Sequence, residues 1–347
     1  MEKIRLGRTN LTVARIGFGG IPIQLPTENE AIKSIRSSLN LGIDFIDTAY
    51  MYGTSEERIG KALSRRSNKP IIATKVGSAN SEIEGHLNSS LKLLKIESID
   101  LYQFHNVSNF DTLKSILAPG GALSLLKKAK KAGKIKHIGI TSHQLDVAIA
   151  AVKSEQFETI MYPFNFVANE AENELLKLAE KYDMGFIAMK PFAGGRIKNI
   201  KVAIKYLLQF PNVLILPGIA DFKQAEEIVN ILKSPGMTMR ERQEMRHIKE
   251  KLDNRICRHC DYCMPCPQGI HLSSALDFEA MTMSFPEDLF YAGPMSGAIS
   301  MAARCDDCGQ CEDKCPYHIS VRVLLREYVE NYNAGKKRYL SRKAAER

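Results

Sequence analysis

Four polar side chains gather between residues 44 and 105. Asp47 closes the apolar run Phe45-Ile46-Asp47, and Tyr52 lies in the loop that follows. Lys75 closes Ile71-Ile72-Ala73-Thr74-Lys75, and His105 closes Leu101-Tyr102-Gln103-Phe104-His105. These residue types suit proton transfer to a carbonyl oxygen. A free tyrosine, with a pKa of about 10, is a poor acid at neutral pH. A neighbouring ammonium favours the phenolate and lowers that value. Tyr52 would then be the acid, Lys75 its activator and Asp47 the carboxylate that keeps the lysine charged. His105 would orient the carbonyl by a hydrogen bond.

Such residues need elements that present them together. Each of the runs is short, apolar and β-prone, and each precedes a helix-patterned segment, so they read as βα units of a parallel sheet. The alternation continues along the chain. Strand-like runs fall near 15–19, 44–48, 71–76, 99–104, 135–141, 159–164, 185–189 and 213–217. Helical patterns fall near 29–41, 55–65, 81–94, 121–132, 144–153, 170–182, 199–209 and 222–233. Eight units predict an α/β fold, a (β/α)8 TIM barrel, with the polar groups at the carboxyl ends of the strands. A doubly wound sheet is the competing architecture, but no Gly-x-Gly-x-x-Gly follows an early strand. Residues 3–17 alternate around Gly7-Arg8-Thr9-Asn10 and predict a β-hairpin.

The chain has 347 residues and a net charge of +9, with 25% charged and 44% hydrophobic residues, the composition of a globular protein. No apolar run reaches the roughly 18–20 residues needed to span a bilayer. Met1-Glu2-Lys3-Ile4-Arg5 lacks an apolar signal core, so a cytoplasmic location is expected. Residues 321–347 carry eight Lys or Arg against three Glu, so much of the excess charge belongs to the C-terminal stretch. It reads as a solvated basic tail or as a docking face for a ferredoxin or another acidic redox partner. No nucleic-acid motif accompanies it.

The stretch Asp47-Thr48-Ala49-Tyr50-Met51-Tyr52-Gly53-Thr54-Ser55-Glu56, with Lys75 and His105 downstream, resembles the aldo-keto reductases. The resemblance runs from about residue 3 to about residue 233. It implies a (β/α)8 barrel, a nicotinamide cofactor (usually NADPH) and reversible hydride transfer to an aldehyde or ketone, a small-molecule carbonyl substrate. It also points to cofactor contacts. Gly20 permits close backbone approach. Thr141 and Ser142 stand where the family has a Ser-Asn pair that grips the nicotinamide amide. Met161 replaces a glutamine, and Met189 stands where many members stack a tyrosine. Near Gly218 and Gln224 the usual Lys and Arg for a 2′-phosphate are missing. Lys223, or the helix N-terminus after Asp221, would substitute, which leaves NADPH and NADH both open.

All eight cysteines lie between 257 and 315. Cys257, Cys260, Cys263 and Cys266 are each two residues apart and end in Pro267. Cys305, Cys308 and Cys311 keep that spacing, with three residues before Cys315-Pro316. The second run matches the bacterial pattern for [4Fe–4S] clusters. Zinc and disulfides are the alternatives, but zinc ligands usually come as separated pairs. The two-cluster ferredoxin pattern would join Cys257, Cys260 and Cys263 to Cys315, and Cys305, Cys308 and Cys311 to Cys266. Between the runs, 272–283 reads as a helix, with Pro286 and Gly293-Pro294 as breakers, and 319–333 reads as an amphipathic helix. The expected division is a barrel over 1–245, a small, mainly helical, ferredoxin-like iron–sulfur domain over 246–330 that covers the pocket mouth, and a tail over 331–347. The second run further resembles the iron–sulfur branch of the aldo-keto reductases. Hydride transfer moves two electrons together whereas a cluster moves one, so three readings stand: a reductase with redox-active clusters, a reductase with structural clusters, and an electron-transfer oxidoreductase whose clusters meet a ferredoxin or flavin while the barrel is a binding module.

Overall fold

The computed structural model describes residues 1–346 apart from 65, 79–81, 235 and 294. Four expectations fall outside those residues: the helix end at 65, the helix start at 81, Pro294 as a breaker, and the terminal Arg347.

A hairpin of β1 (Lys3–Arg5) and β2 (Thr12–Ala14) opens the chain. Eight parallel strands follow: β3 (Phe18–Gly19), β4 (Phe45–Asp47), β5 (Ile71–Val76), β6 (Ile99–Phe104), β7 (Ile135–Thr141), β8 (Thr159–Pro163), β9 (Gly185–Met189) and β10 (Val213–Leu216). Each pairs with the next in chain order. The bridges Ile16↔Ile215 and Gly19↔Gly218 join the last strand to the first, so the sheet closes. The fold is a (β/α)8 barrel, as the alternation predicted. Phe45, Ala73, Leu101, Met161, Ile187, Leu214 and Leu216 fill its interior, and Ile4, Leu6 and Val13 pack against them from the hairpin. The barrel is therefore a packed core, and chemistry is confined to the strand ends.

The surrounding helices are α1 (Glu28–Asn40), α2 (Ser55–Leu63), α3 (Ile83–Leu94), α4 (Phe110–Leu117), α5 (Ala122–Lys131), α6 (Leu145–Lys153), α7 (Leu175–Lys181), α8 (Ile200–Leu207), α9 (Phe222–Ile231) and α10 (Met239–Leu252). Local chemistry sets several starts. Thr27 with Glu30, and Thr238 with Glu241, form capping boxes, and Asp221 caps α9 through the Gln224 N–H. Two helices were not anticipated. The weakly patterned α4 lies in the β6–α5 connection. The highly polar α10 runs through the boundary expected at 245, and its Met245, Ile248 and Leu252 pack on the barrel.

Beyond α10 the first cysteine run lies in irregular chain. Then come α11 (Leu272–Leu276), α12 (Phe278–Thr282), α13 (Glu287–Tyr291), α14 (Ser296–Ala302), α15 (Gln310–Asp313) and α16 (Val321–Ala345). The helix expected over 272–283 is thus split at Asp277. These short helices enclose a second core of Ile270, Leu276, Phe278, Leu324 and Tyr328, with cysteines of both runs packed against it. The 25-residue α16 carries straight through position 330, so the basic stretch continues a helix. Its Arg322, Arg326 and Arg342 pair with Glu312, Asp307 and Glu287 of the same lobe. These three arginines of the basic stretch are thus paired within the lobe. No helix among the described residues is long and apolar enough to cross a membrane.

Candidate active site

Register brings the first set of residues together. β4 and β5 pair with Asp47 opposite Ala73, and β5 and β6 pair with Lys75 opposite Gln103. The Lys75 ammonium reaches Asp47 Oδ2 at 2.5 Å and donates to the Thr48 carbonyl at 2.8 Å. The two side chains are only 2% and 4% exposed. The half-buried Tyr52 lies against both partners expected for it. Lys75 Nζ is 5.0 Å from its ring centre, and the His105 ring meets it edge-on at 5.6 Å. All four predicted residues share one site at the strand ends.

Electrostatics there departs from the simplest expectation. Burial would pull Lys75 down, but Asp47 and Tyr52 outweigh it and hold the ammonium above its ordinary pKa. Burial raises the Tyr52 hydroxyl more strongly than Lys75 lowers it, so the net shift is upward. The phenol stays protonated at neutral pH, as a proton donor must. Burial, followed by the Lys75 charge, pushes His105 down to about 3, so its imidazole is neutral.

Gln103 belongs to the site and was not singled out in the sequence. It is fully buried, and its amide donates to Asp47 Oδ1 at 3.1 Å. Its signal was available: two residues before His105, it shares the parity of that face of β6. Glu56 is also buried and accepts from Thr74 Oγ1 at 2.7 Å.

The expected cofactor contacts are placed less simply. Gly20 is buried, and its N–H donates to the Asp47 carbonyl at 2.8 Å. Met161 lies in the barrel interior, while Met189 is half-buried at the end of β9. Gly218 and Lys223 are exposed. The hydroxyls of Thr141 and Ser142 are engaged by backbone: Thr141 Oγ1 accepts from Asn106 N at 2.7 Å, and Ser142 Oγ donates to the Gln144 carbonyl at 3.0 Å. Gln224 closes its own loop, its Oε1 accepting from Ala220 N at 2.9 Å.

All eight cysteines are free thiols, without a disulfide among them. One recess is lined by Cys266 of the first run together with Cys305, Cys308 and Cys311 of the second, and Cys263 borders it as well. Burial pushes the Cys257 thiol up to about 12 and Cys263 and Cys311 to about 11. Thiolates at such positions need a bound cation, which iron would supply. The sulfur-only donor set fits clusters.

The lobe that holds the cysteines sits over the barrel mouth. Gln144 Nε2 donates to Asp261 at 3.0 Å, and Tyr262 donates to Asp146 at 3.0 Å. Arg258 donates to the Val167 carbonyl at 2.9 Å and pairs with Glu170 at 3.1 Å. Asp277 receives Lys190 at 3.0 Å, with His259 at 3.2 Å and Arg196 at 3.8 Å. Against the burial that would raise it, the Lys190 charge and the other groups facing it hold the Asp277 carboxyl well below the usual range. The exits of β7, β8 and β9 are thereby covered.

A closed parallel barrel with a buried lysine–carboxylate pair beside a tyrosine, joined to a cysteine-rich lobe, defines an oxidoreductase class. The profile of the Aldo/keto reductase family matches residues 15–201, and that of the 4Fe-4S dicluster domain matches residues 256–320. The chain belongs to the aldo/keto reductase family and carries a 4Fe-4S dicluster domain in its C-terminal region. It is 30% identical over 211 residues to the uncharacterized oxidoreductase YqkF of Bacillus subtilis, a match spanning 56% of this chain and 66% of that protein. It is 26% identical over 326 residues to L-galactose dehydrogenase of Arabidopsis thaliana, covering 78% of this chain and 98% of that one. The fold is similar to that of an aldo-keto reductase from Klebsiella pneumoniae solved in complex with NADPH, with a TM-score of 0.62, 18% identity and 72% and 95% of the two chains covered.

Lys75→Met should lower stability by about 3–5 kcal/mol, because it strands a buried carboxylate. Adding Asp47→Asn should recover part of the loss. Equal melting temperatures for the single and double variants, read by circular dichroism, would show that the pair is not coupled. His105 has a second consequence. Its unfolded pKa is about 6.5, so as pH falls below that value the unfolded chain takes up a proton that the native site refuses. Stability is then lost, while above it His105 has no effect. His105→Gln should flatten the fall in melting temperature between about pH 7 and about pH 5.5. An unchanged slope would mean that the imidazole titrates normally in the fold.

Proposed function

We propose that the chain reduces an aldehyde or ketone with NAD(P)H, or runs the reverse oxidation, using Tyr52 as the general acid. The observation that carries this reading is the grouping of Tyr52 with the buried Lys75–Asp47 pair and the neutral His105. Tyr52 keeps its proton until a developing alkoxide takes it. Lys75, held charged by Asp47, then steadies the phenolate, and Gln103 and Thr48 hold that pair in place. His105 donates to the carbonyl oxygen and polarises it. A nicotinamide supplies the hydride when bound. Gly20, Met189, Gly218 and Lys223 would hold it, and Thr141, Ser142 and Gln224 would join them if released from their present bonds. The relative solved with NADPH supports the cofactor class. The missing 2′-phosphate clamp keeps NADH in the test.

The dicluster lobe would hold two four-iron clusters, one on Cys257, Cys260, Cys263 and Cys315, the other on Cys266, Cys305, Cys308 and Cys311. The recess shared by Cys266 with the second run supports this crossed set. The lobe begins, in this reading, after α10. A second reading, in which clusters exchange electrons with a ferredoxin or flavin and the barrel is a binding module, is favoured by the exposure of Cys308, which brings the second run to the surface.

Anaerobic fluorescence titration with NADPH and NADH is expected to show tight binding of at least one, and Tyr52→Phe should lower carbonyl reduction by about 10²–10⁴-fold. Binding of neither nucleotide would favour the electron-transfer reading, and full turnover by Tyr52→Phe would remove the acid from this assignment. The protein should contain about eight irons. Cys266→Ser should alter the electron paramagnetic resonance signal of one cluster, the one also altered by Cys308→Ser, while Cys315→Ser should alter the one shared with Cys260→Ser. The opposite grouping would mean that each run holds its own cluster.

A further inference from the structure

We propose that His143 is a positioning residue that ties the carbonyl site to the cysteine lobe, so that the lobe helps to complete the active site. The kinetic part rests on the carbonyl-reductase reading above; the link itself rests on geometry.

His105 and Asn106 follow directly on β6. The His105 N–H donates to the Val76 carbonyl and the Val107 N–H to the Thr141 carbonyl, each at 2.8 Å. Between them Asn106 takes the left-handed conformation, with φ of 52°. Asparagine tolerates this region better than most residues, but only with local support. Two groups supply it: Asn106 N–H donates to Thr141 Oγ1, and Asn106 Oδ1 accepts from His143 Nδ1 at 2.8 Å. Where Asn106 sits decides where the His105 imidazole sits.

His143 is held from the other side by the lobe. Its ring lies 5.2 Å, centre to centre, from that of His259, tilted by 54°. His259 lies between Cys257 and Cys260, and its backbone N–H donates to Cys257 Sγ at 3.4 Å. Its Nε2 lies 3.2 Å from Asp277 Oδ1, and Asp277 also takes Lys190 from the end of β9. Contacts therefore run without a gap from Tyr52 through His105, Asn106, His143 and His259 to Cys257. Hydrogen bonds to cluster sulfurs help to set cluster potentials, so a change at His143 has a path to the first run as well as to His105. The second run has no such path among these contacts.

The test uses anaerobic, cluster-loaded enzyme, with NADPH and 4-nitrobenzaldehyde as probes, and compares His143→Leu with His143→Gln. His143→Leu should lower kcat by roughly ten- to a hundredfold through misplacement of His105, with little change in KM for NADPH. His143→Gln keeps an N–H for Asn106 Oδ1 and should restore most of the rate. In a redox titration followed by electron paramagnetic resonance, His143→Leu should shift the potential of one cluster and leave the other in place. Leu and Gln variants equally impaired would reduce His143 to a space-filling role and overturn the proposal. So would a Leu variant with wild-type kcat and both potentials unmoved. If wild-type enzyme reduces no carbonyl probe, the reductase reading fails on its own. The link then stands if His143→Leu moves one potential alone, and falls if it moves neither or both.

Discussion

A lysine ammonium withdrawn from water is the constraint around which this barrel is built. With Lys75 and Asp47 almost fully buried, neither charge is tolerable without the other, and the desolvation of the pair is offset only when remaining donors and acceptors are matched. The Thr48 carbonyl takes one lysine proton, and the Gln103 amide takes the second carboxylate oxygen. These groups come from the ends of three successive strands, so the pair exists only if β4, β5 and β6 are neighbours in this register. The same register leaves the ammonium facing Tyr52, and the tyrosine facing His105. Neutral histidine, protonated phenol and charged lysine are thus consequences of one burial pattern rather than separate inventions.

The lobe that carries the cysteines solves a different problem. Its core is small and its helices are mostly five to seven residues long, too short to be stable alone. Sulfur ligands closing on iron would supply what apolar burial does not. The lobe meets the barrel through directed polar contacts: Arg258 on the Val167 carbonyl, Arg196 on the Leu276 carbonyl and Lys190 on Asp277. Close backbone approach assists, since a side chain at Gly194 would collide with Ala280. Such contacts fix orientation, which a mere apolar patch would not, and they set the first cysteine run against the mouth of the barrel.

The eight strands, most of the helices and the four polar side chains at the strand ends were legible because they depend on short-range patterns. An apolar run bounded by polar residues makes a buried strand wherever it lies, and cysteines two residues apart reach a common cluster whatever surrounds them. Where patterns were weak the reading failed locally: α4 lies within a connection, α10 has too few apolar residues to announce a buried face, and the 272–283 pattern is interrupted at Asp277, which faces Lys190.

The sequence by itself determined the alternation that closes into a barrel, the chemical identity of the Asp47, Tyr52, Lys75 and His105 set, and the sulfur-only character of the second site. Only the tertiary structure decided that Gln103 completes the ion pair, that Thr141, Ser142 and Gln224 bind backbone, and that the basic C-terminal helix answers acids of its own lobe. It also decided that His143 meets His259, 116 positions away by their numbers. The reason is range. Periodicity and ligand spacing act over a few residues, whereas the net shift at Tyr52 and the seating of the lobe depend on which distant groups the closed fold brings within a few ångströms, and on how much water it shuts out.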